Sequence, residues 1–421
     1  MSLLVVRNAR YQGHAVDVYV EEGRMARMIA HGTETPPENA HQVDAAGAVL
    51  FPSFIDAHVH LRDPGFEWKE DVASGLAAAA FGGFGTVMCM PNTDPVNDDP
   101  AVTLQILGKA AKAWPYGPRV MPIGALSMGL QGEGLAPFGE LAAAGCVAFS
   151  NDGLPVKNTE LFRRAMEYAS DFGMFIIDHC EDPYLAVKTV MNEGLTSSLI
   201  GVKGQPDVGE TIQVARSVLL ADYLGLPVHI AHVSCARSVD VIAWAKSRGV
   251  QVTAETCPHY LLLDDTALST YNTNAKVNPP LRLPSDVEAL RKAVKSGLID
   301  MLVTDHAPHA AHEKEHPLDQ APNGFTGMDT ALATTWELVA SGVLDEADFV
   351  RLWCTRPGEV FRVPVNSFAP GAPADFFLFD PDLQWEVRPE TMHSKSCNSP
   401  WLGQTLRGRV TAHWIGGVRV V

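Results

Sequence analysis

The sequence predicts an α/β protein, a (β/α)8 TIM-like barrel with a small flanking β-sandwich built from both termini, and three observations predict it. From about Phe51 onward, short apolar strands alternate with helical stretches. Almost every one of those strands ends in His, Asp, Asn or Ser, as expected where the carboxyl ends of parallel strands converge on one functional face. Both ends of the chain instead read as short strands parted by glycine turns.

The first small β element covers residues 1–50, with Leu3-Leu4-Val5-Val6, Ala15 to Val20, Val43 and Val49-Leu50 separated by Gly13, Gly23, Gly32 and Gly47. The barrel strands start near Phe54 and Thr86. They continue through Val120 to Ala125, Cys146 to Ser150, Met174 to His179, Val228 to His232, Val250 to Glu255 and Met301 to Asp305, which makes residues 51–363 the catalytic domain. From about Pro364 the strands Ala374 to Phe379, Leu406 to Val410 and Ala412 to Ile415 pair residues 364–421 with residues 1–50 in one sandwich. Gly75 to Thr93 carries no charge over 19 residues, long enough to span a bilayer. Gly82, Gly83 and Gly85 interrupt it, so a helix, a glycine turn and a buried strand are expected instead.

A chain of 421 residues with 46% hydrophobic and 19% charged residues suits a compact enzyme of one large domain and one small one. The net charge of −17 leaves no basic field for a phosphate backbone, which argues against nucleic acid as a partner and leaves a small molecule as the expected one. The seven cysteines are scattered, odd in number and form no Cys-x-x-Cys pair, so reduced thiols are expected. The apolar run Leu3 to Val6 is too short for a signal-peptide core, and the expectation is a cytosolic protein with no membrane segment.

The chemistry concentrates in His58-Val59-His60-Leu61-Arg62-Asp63-Pro64-Gly65. In a strand, residues i and i+2 share a face, so His58 and His60 reach one metal ion while Arg62 brings a guanidinium into the same pocket. Alone, a His-x-His pair is as readily a chance pair on a polar strand. His179 in Ile177-Asp178-His179, His232 in Ile230-Ala231-His232 and Asp305 in Thr304-Asp305-His306 add further donors at strand ends, where a single histidine would more often be a core residue. Imidazole and carboxylate without thiolate make zinc the first choice. Two ions need a bridge, for which Asp152 in Ser150-Asn151-Asp152-Gly153 is the candidate. Asn151 is the competing neighbour, and a tight Asx-turn is the structural alternative. A metal lowers the pKa of bound water to about 7, and Asp305 then moves a proton to a leaving nitrogen, which is metal-assisted hydrolysis. Asn92 and Asn278 are candidates to grip amide edges, or else loop turns beside proline. His229 reads as a core residue, and His259 in Glu255-Thr256-Cys257-Pro258-His259 as support for a ligand.

These motifs resemble the amidohydrolase superfamily and, within it, the bacterial class I dihydroorotases. The resemblance runs over essentially the whole chain, including Gly371-Ala372-Pro373-Ala374-Asp375 and Ser394-Lys395-Ser396-Cys397-Asn398-Ser399-Pro400. It implies one zinc on His58, His60 and Asp305, a second on His179 and His232, and Asp152 as the bridge. It also implies that His60, Arg62, Asn92, Asn278 and His309 contact dihydroorotate, with backbone contacts from Asn323 and Gly324. The implied activity is reversible cyclisation of N-carbamoyl-L-aspartate to dihydroorotate in pyrimidine synthesis. Hydantoinases and allantoinases are the alternative, but they typically bridge with a carboxylated lysine and lack an arginine two residues past the second histidine. A bidentate guanidinium selects a ring bearing a carboxylate. The family's bridging segment usually reads Ser-Asp-Asp-Gly, whereas Asn151 here leaves Asp152 as the only carboxylate, and position 323 is commonly aromatic in relatives. A silent scaffold for aspartate carbamoyltransferase is the non-enzymatic alternative, although this sequence keeps all six ligand positions. Association with that transferase while active, and a homo-oligomer, are family-level expectations. One zinc on His58, His60 and Asp305 suffices if the second site is weak, and in the loop from Ala310 to Thr326 His312 and His316 are expected to be solvated.

Overall fold

The computed structural model describes residues 3–421; Met1 and Ser2, at the head of the first expected β element, lie outside the described residues. Alternating apolar residues carry the amino-terminal segment into β1 (Leu4–Tyr11), β2 (His14–Glu21), β3 (Arg24–Ala30), β4 (His41–Asp44) and β5 (Val49–Pro52). Sequence reading misses β3 because Arg24 and Arg27 break its apolar pattern, and only Met25 of that strand is fully buried.

The middle of the chain forms β6 (Phe54–Val59), β7 (Phe84–Cys89), β8 (Arg119–Pro122), β9 (Gly124–Ala125), β10 (Phe149–Ser150), β11 (Ile176–Asp178), β12 (Met191–Asn192), β13 (Gly204–Gln205), β14 (Val228–Ile230), β15 (Val252–Thr256) and β16 (Met301–Leu302). Only β12 and β13 stand apart, as a pair of their own. The others pair in parallel, β6-β7-β8 in one sheet and β9-β10-β11-β14-β15-β16 in the next. Ile123 alone separates β8 from β9: its amide donates to Cys89 O at 2.9 Å, and the next amide, of Gly124, donates to Ala148 O at 3.0 Å. At the far edge, Val59 of β6 bridges in parallel to His306, and the His60 amide donates to His306 O at 2.8 Å. Helices such as Val72–Phe81, Pro100–Ala113, Val208–Leu224, Ala236–Ser247 and Pro284–Lys295 cross between successive strands. All the parallel strands therefore end on the same side.

Several strands are shorter than the sequence suggests. The expected strand from Met301 to Asp305 keeps only Met301 and Leu302 in the ladder, because Thr304 turns its amide and hydroxyl to buried Asp56, at 3.0 and 2.5 Å. The charge-free stretch resolves into the end of helix Val72–Phe81 and β7, and among the described residues no helix is long and apolar enough to cross a membrane.

The carboxyl-terminal segment adds β17 (Phe376–Glu386), β18 (Thr405–Ile415) and β19 (Val418–Arg419) to the first strands, in the order β19-β18-β17-β5-β1-β2-β3 with β4 on β1. Strand β18 joins two apolar runs that read as separate strands, since a register shift beside Thr411 lets one strand carry both. The sheet reaches two residues past the expected boundary at residue 50, because Phe51 and Pro52 pair with Phe377 and Phe376. Its side chains alternate between two cores. Leu50, Phe376, Leu378 and Trp414 close on Val6, Val18 and Val20, while Phe51, Phe377 and Phe379 face the parallel strands and pack on Phe54, Trp336 and Phe349. The terminal strands thus pack against Phe54, where β6 begins.

Candidate metal centre and active site

His58 lies in β6 and His60 just after it, and their rings reach the same point because they are two residues apart in extended backbone. His58 directs Nε2 to Asp152 Oδ1 at 3.4 Å and to Asp305 Oδ1 at 3.6 Å. His60 Nε2 lies 3.2 Å from Asp305 Oδ1 and 3.5 Å from Asp152 Oδ2. On the other side of Asp152, its Oδ1 sits 3.5 Å from His179 Nδ1 and 3.4 Å from His232 Nε2. Six residues from five strand ends meet, with Asp152 between the two histidine pairs.

Backbone strain helps to aim them. Arg62, His232 and Asp305 have φ of +61°, +32° and +47°, each in a region that costs a residue with a side chain about 1–3 kcal/mol. His232 lies two residues past β14 and Asp305 three past β16.

The donor set fits a divalent cation. Ligands around a tetrahedral ion at about 2.0–2.1 Å lie about 3.3 Å from each other, and the nitrogen-to-oxygen separations above, from 3.2 to 3.6 Å, cluster around that edge. His58 Nε2 and Asp152 Oδ1 are buried without a hydrogen-bond partner among the described residues, which is costly unless an ion meets them. Two groups of ligand atoms are close enough to share an ion, His58 with His60 and Asp305, and His58 with Asp152 and His232.

Supporting bonds fix the tautomers that such a site needs. His58 Nδ1–H donates to Glu255 Oε1 at 2.7 Å, and Glu255 Oε2 in turn accepts from His229 Nε2 at 2.9 Å. His60 Nδ1–H donates to Asn92 Oδ1 at 2.8 Å. In both rings Nε2, on the side of the aspartates, is therefore the nitrogen whose lone pair a cation would take. Burial lowers the basicity of His58, but the Asp152 and Glu255 carboxylates outweigh it and hold the imidazole well above its usual range. His179 is likewise pulled down by burial and carried up to about 10 by Asp152 and Glu181. Burial opposes ionisation of Asp152 and of Asp305, yet the surrounding imidazoles keep both carboxyls below the usual range.

Asn151, the competing bridge, points away: its Oδ1 accepts from Ser127 N and Oγ at 3.1 and 2.9 Å and its Nδ2 donates to Leu130 O at 3.0 Å. His259 bonds to no ligand; it packs on Tyr260 and Phe325, with its Nε2 unpartnered among the described residues. The support expected of it comes from Glu255 and His229. His229, expected as a plain core residue, extends that chain to Thr253 Oγ1 at 2.7 Å.

Beside the carboxylate cluster stands a cationic wall. Arg62 donates through Nε to Pro308 O at 3.2 Å and lies 3.3 Å from His309 Nε2. Burial lowers its pKa to about 10, so it stays charged at neutral pH. His309 Nε2–H donates to Asn323 O at 2.8 Å, and Lys69 Nζ lies 3.4 Å from its Nδ1. Burial, with Arg62, Lys69 and Lys314 nearby, pulls the His309 imidazole down to about 2, so it is neutral. Asn278 Nδ2 donates to Glu181 Oε2 at 2.7 Å, which leaves its carbonyl for a ligand. The Gly324 amide donates to Lys276 O at 2.8 Å and so is committed to backbone, unlike the free contact expected of it. His312 and His316 are exposed. Sequence reading missed Glu255, Lys69, Lys276 and Lys314, for which only a charged residue amid an apolar or loop segment could have been a signal.

A family model described as dihydro-orotase-like matches residues 47–238. The dihydroorotase of Trichlorobacter lovleyi is 46% identical over 96% of this chain and 94% of its own length, and that of Pelobacter propionicus is 45% identical over 99% of both. Among solved structures, an L-hydantoinase (dihydropyrimidinase) from Arthrobacter aurescens superposes with a TM-score of 0.87 at 23% identity, covering 100% of this chain and 96% of that one. A dihydropyrimidinase from Brevibacillus agri gives 0.80 at 23% identity, covering 100% and 95%. The structures share the fold, and the identity with the first two proteins over almost the whole length decides the family: the chain belongs to the dihydroorotases.

Proposed function

We infer that the protein is a dihydroorotase of class I, interconverting (S)-dihydroorotate and N-carbamoyl-L-aspartate in pyrimidine synthesis. The observation that carries the reading is Arg62, with neutral His309 and Lys69 beside it, at the edge of a carboxylate and imidazole cluster bridged by an aspartate. On this reading the parallel ladder is a (β/α)8 barrel over residues 51–363. Residues 1–50 and 364–421 form the flanking β-sandwich, with Phe51 and Pro52 shared at the seam.

Zinc is the ion this donor set favours, and His58, His60, Asp152, His179, His232 and Asp305 would hold it, two per chain on this reading. A divalent ion there supplies Lewis-acid polarisation of the ring carbonyl and a lowered pKa for water. Arg62 pairs with the ring carboxylate, and Asn278 Oδ1, Asn92 Nδ2 and the Asn323 amide hold the ring's amide edges. Asp305, ionised at neutral pH, accepts the proton of the attacking water. As the bond between the carbonyl carbon next to the ring methylene and the imide nitrogen breaks, Asp305 returns that proton to the nitrogen, leaving a ureido group and a carboxylic acid that releases its own proton to solvent to become the free carboxylate. Cyclisation runs the same transfers backward. All six ligand positions converge, which disfavours the silent-scaffold alternative.

The test is turnover by the purified, metal-replete chain. Dihydroorotate should be hydrolysed and hydantoin left intact, and Arg62→Met should raise KM for dihydroorotate by about 10²-fold, the loss of a charge-assisted pair. Hydantoin turnover without dihydroorotate turnover would refute the assignment.

Metal uptake should also release protons. In the metal-free chain His58 and His179 hold protons at pH 7, and a cation must displace them. Affinity should therefore rise with pH from 6 to 9, and calorimetric titration in buffers of different ionisation enthalpy should show net proton release. A flat affinity over that range would exclude these histidines as ligands.

A further inference from the structure

Lys276 and Lys314 are 5% and 6% exposed, and neither forms an ion pair among the described residues. Lysine is seldom buried without a carboxylate partner, and burial pulls Lys314 down to about 7 and lowers Lys276 too. An apolar side chain of similar length would fill either place without that cost, so packing gives no reason for the charge.

What the two ammonium groups hold is one stretch of backbone. Lys276 Nζ donates to Leu318 O at 2.7 Å and Ala321 O at 2.6 Å; Lys314 Nζ donates to Pro322 O at 2.8 Å and Gly324 O at 2.9 Å. Four carbonyls that no helix or strand satisfies thereby gain donors, Gly324 O accepting from Asn398 Nδ2 at 3.1 Å as well. The same stretch carries Asn323, whose carbonyl fixes His309 beside Arg62. Gly324, at φ +113°, presses so closely on Ala307 that a Cβ would lie 2.6 Å from that methyl. The Lys276 carbonyl also accepts from Gly324 N, and Asn278 follows two residues later, so Lys276 joins two substrate-facing segments.

We propose that Lys276 and Lys314 are positioning residues, buried donors that hold residues 318–324 in the shape that places Asn323, His309 and Asn278 around the substrate ring. The proposal rests on the dihydroorotase reading. Its test uses Lys314→Met and Lys276→Met in the full metal-loaded chain. Each should raise KM for dihydroorotate about tenfold or more, with kcat within about threefold and bound metal unchanged, as expected when charge-assisted bonds that shape binding are lost. In the absence of substrate, amides of residues 318–324 should exchange hydrogen about tenfold faster or more. A variant with wild-type KM and wild-type exchange removes that lysine from the proposal, as does a fall in kcat with KM unchanged. Should Lys314→Met not fold, Lys276→Met decides, because it frees a different pair of carbonyls. The exchange arm needs no turnover, so a wild-type protein inert toward dihydroorotate would overturn the functional reading while the exchange rates still judge the lysines.

Discussion

Asp305→Asn should lower dihydroorotate hydrolysis and its reverse by about 10³-fold, within the range lost when a positioned acid-base group is removed. The amide matches the carboxylate in volume and retains an oxygen that can stay near His60 Nε2, 3.2 Å away in the native chain. It cannot take up a proton. Because the imidazoles around Asp305 keep its carboxyl below the usual range, the native group is ionised and ready to accept a proton throughout the neutral region. The variant should therefore lose kcat in both directions, with KM nearly unchanged, since Arg62 and Asn278 still meet the substrate. Rates in both directions, read beside metal content per chain, separate loss of proton transfer from loss of the ion. Near-native kcat with full metal would assign the proton transfer elsewhere.

Most of the proposed ligands are legible because each stands at or just past the end of a parallel strand, where chemistry separated by hundreds of residues must converge. His58 and His60 announce themselves by spacing, and Asp305 by its place after an apolar run. Glu255 did not, since it is the fourth residue of β15 and its partner His58 lies 197 positions away; no local pattern distinguishes a buried carboxylate that holds an imidazole from one on a solvated face. Asn92 reads as a candidate to grip an amide edge, and only the geometry reveals that its oxygen accepts from His60 while Nδ2 stays available. Lys314 shows the same limit. It lies in the loop from Ala310 to Thr326, where His312 and His316 are expected to be solvated, whereas Lys314 is held by the backbone ten residues on. The strand boundaries failed for a related reason: Thr304 leaves the ladder to satisfy buried Asp56, a contact across 248 residues.

The bridge is where local sequence was most ambiguous, and two neighbouring substitutions resolve it. Asp152→Ala should reduce bound metal to roughly half of wild type or less and activity by about 10³-fold, because the lost carboxylate is the one group shared by both histidine pairs. Its removal also takes away the carboxylate that contributes most to raising His58, so metal-free His58 should give up its proton at lower pH than in the native chain. Asn151→Ala should behave oppositely. That side chain spends its amide on Ser127 and Leu130, so the variant should keep its metal and lose about 1–3 kcal/mol of stability for the buried groups left unpaired. Metal analysis and thermal melts of the two variants separate the roles cleanly, for a carboxylate that binds a cation and an amide that pins a loop fail in different measurements. If Asn151→Ala were the one to lose metal, the bridging role would pass to the wrong side of the turn, and the 3.4–3.5 Å convergence of three imidazoles on Asp152 Oδ1 would be left without a cause.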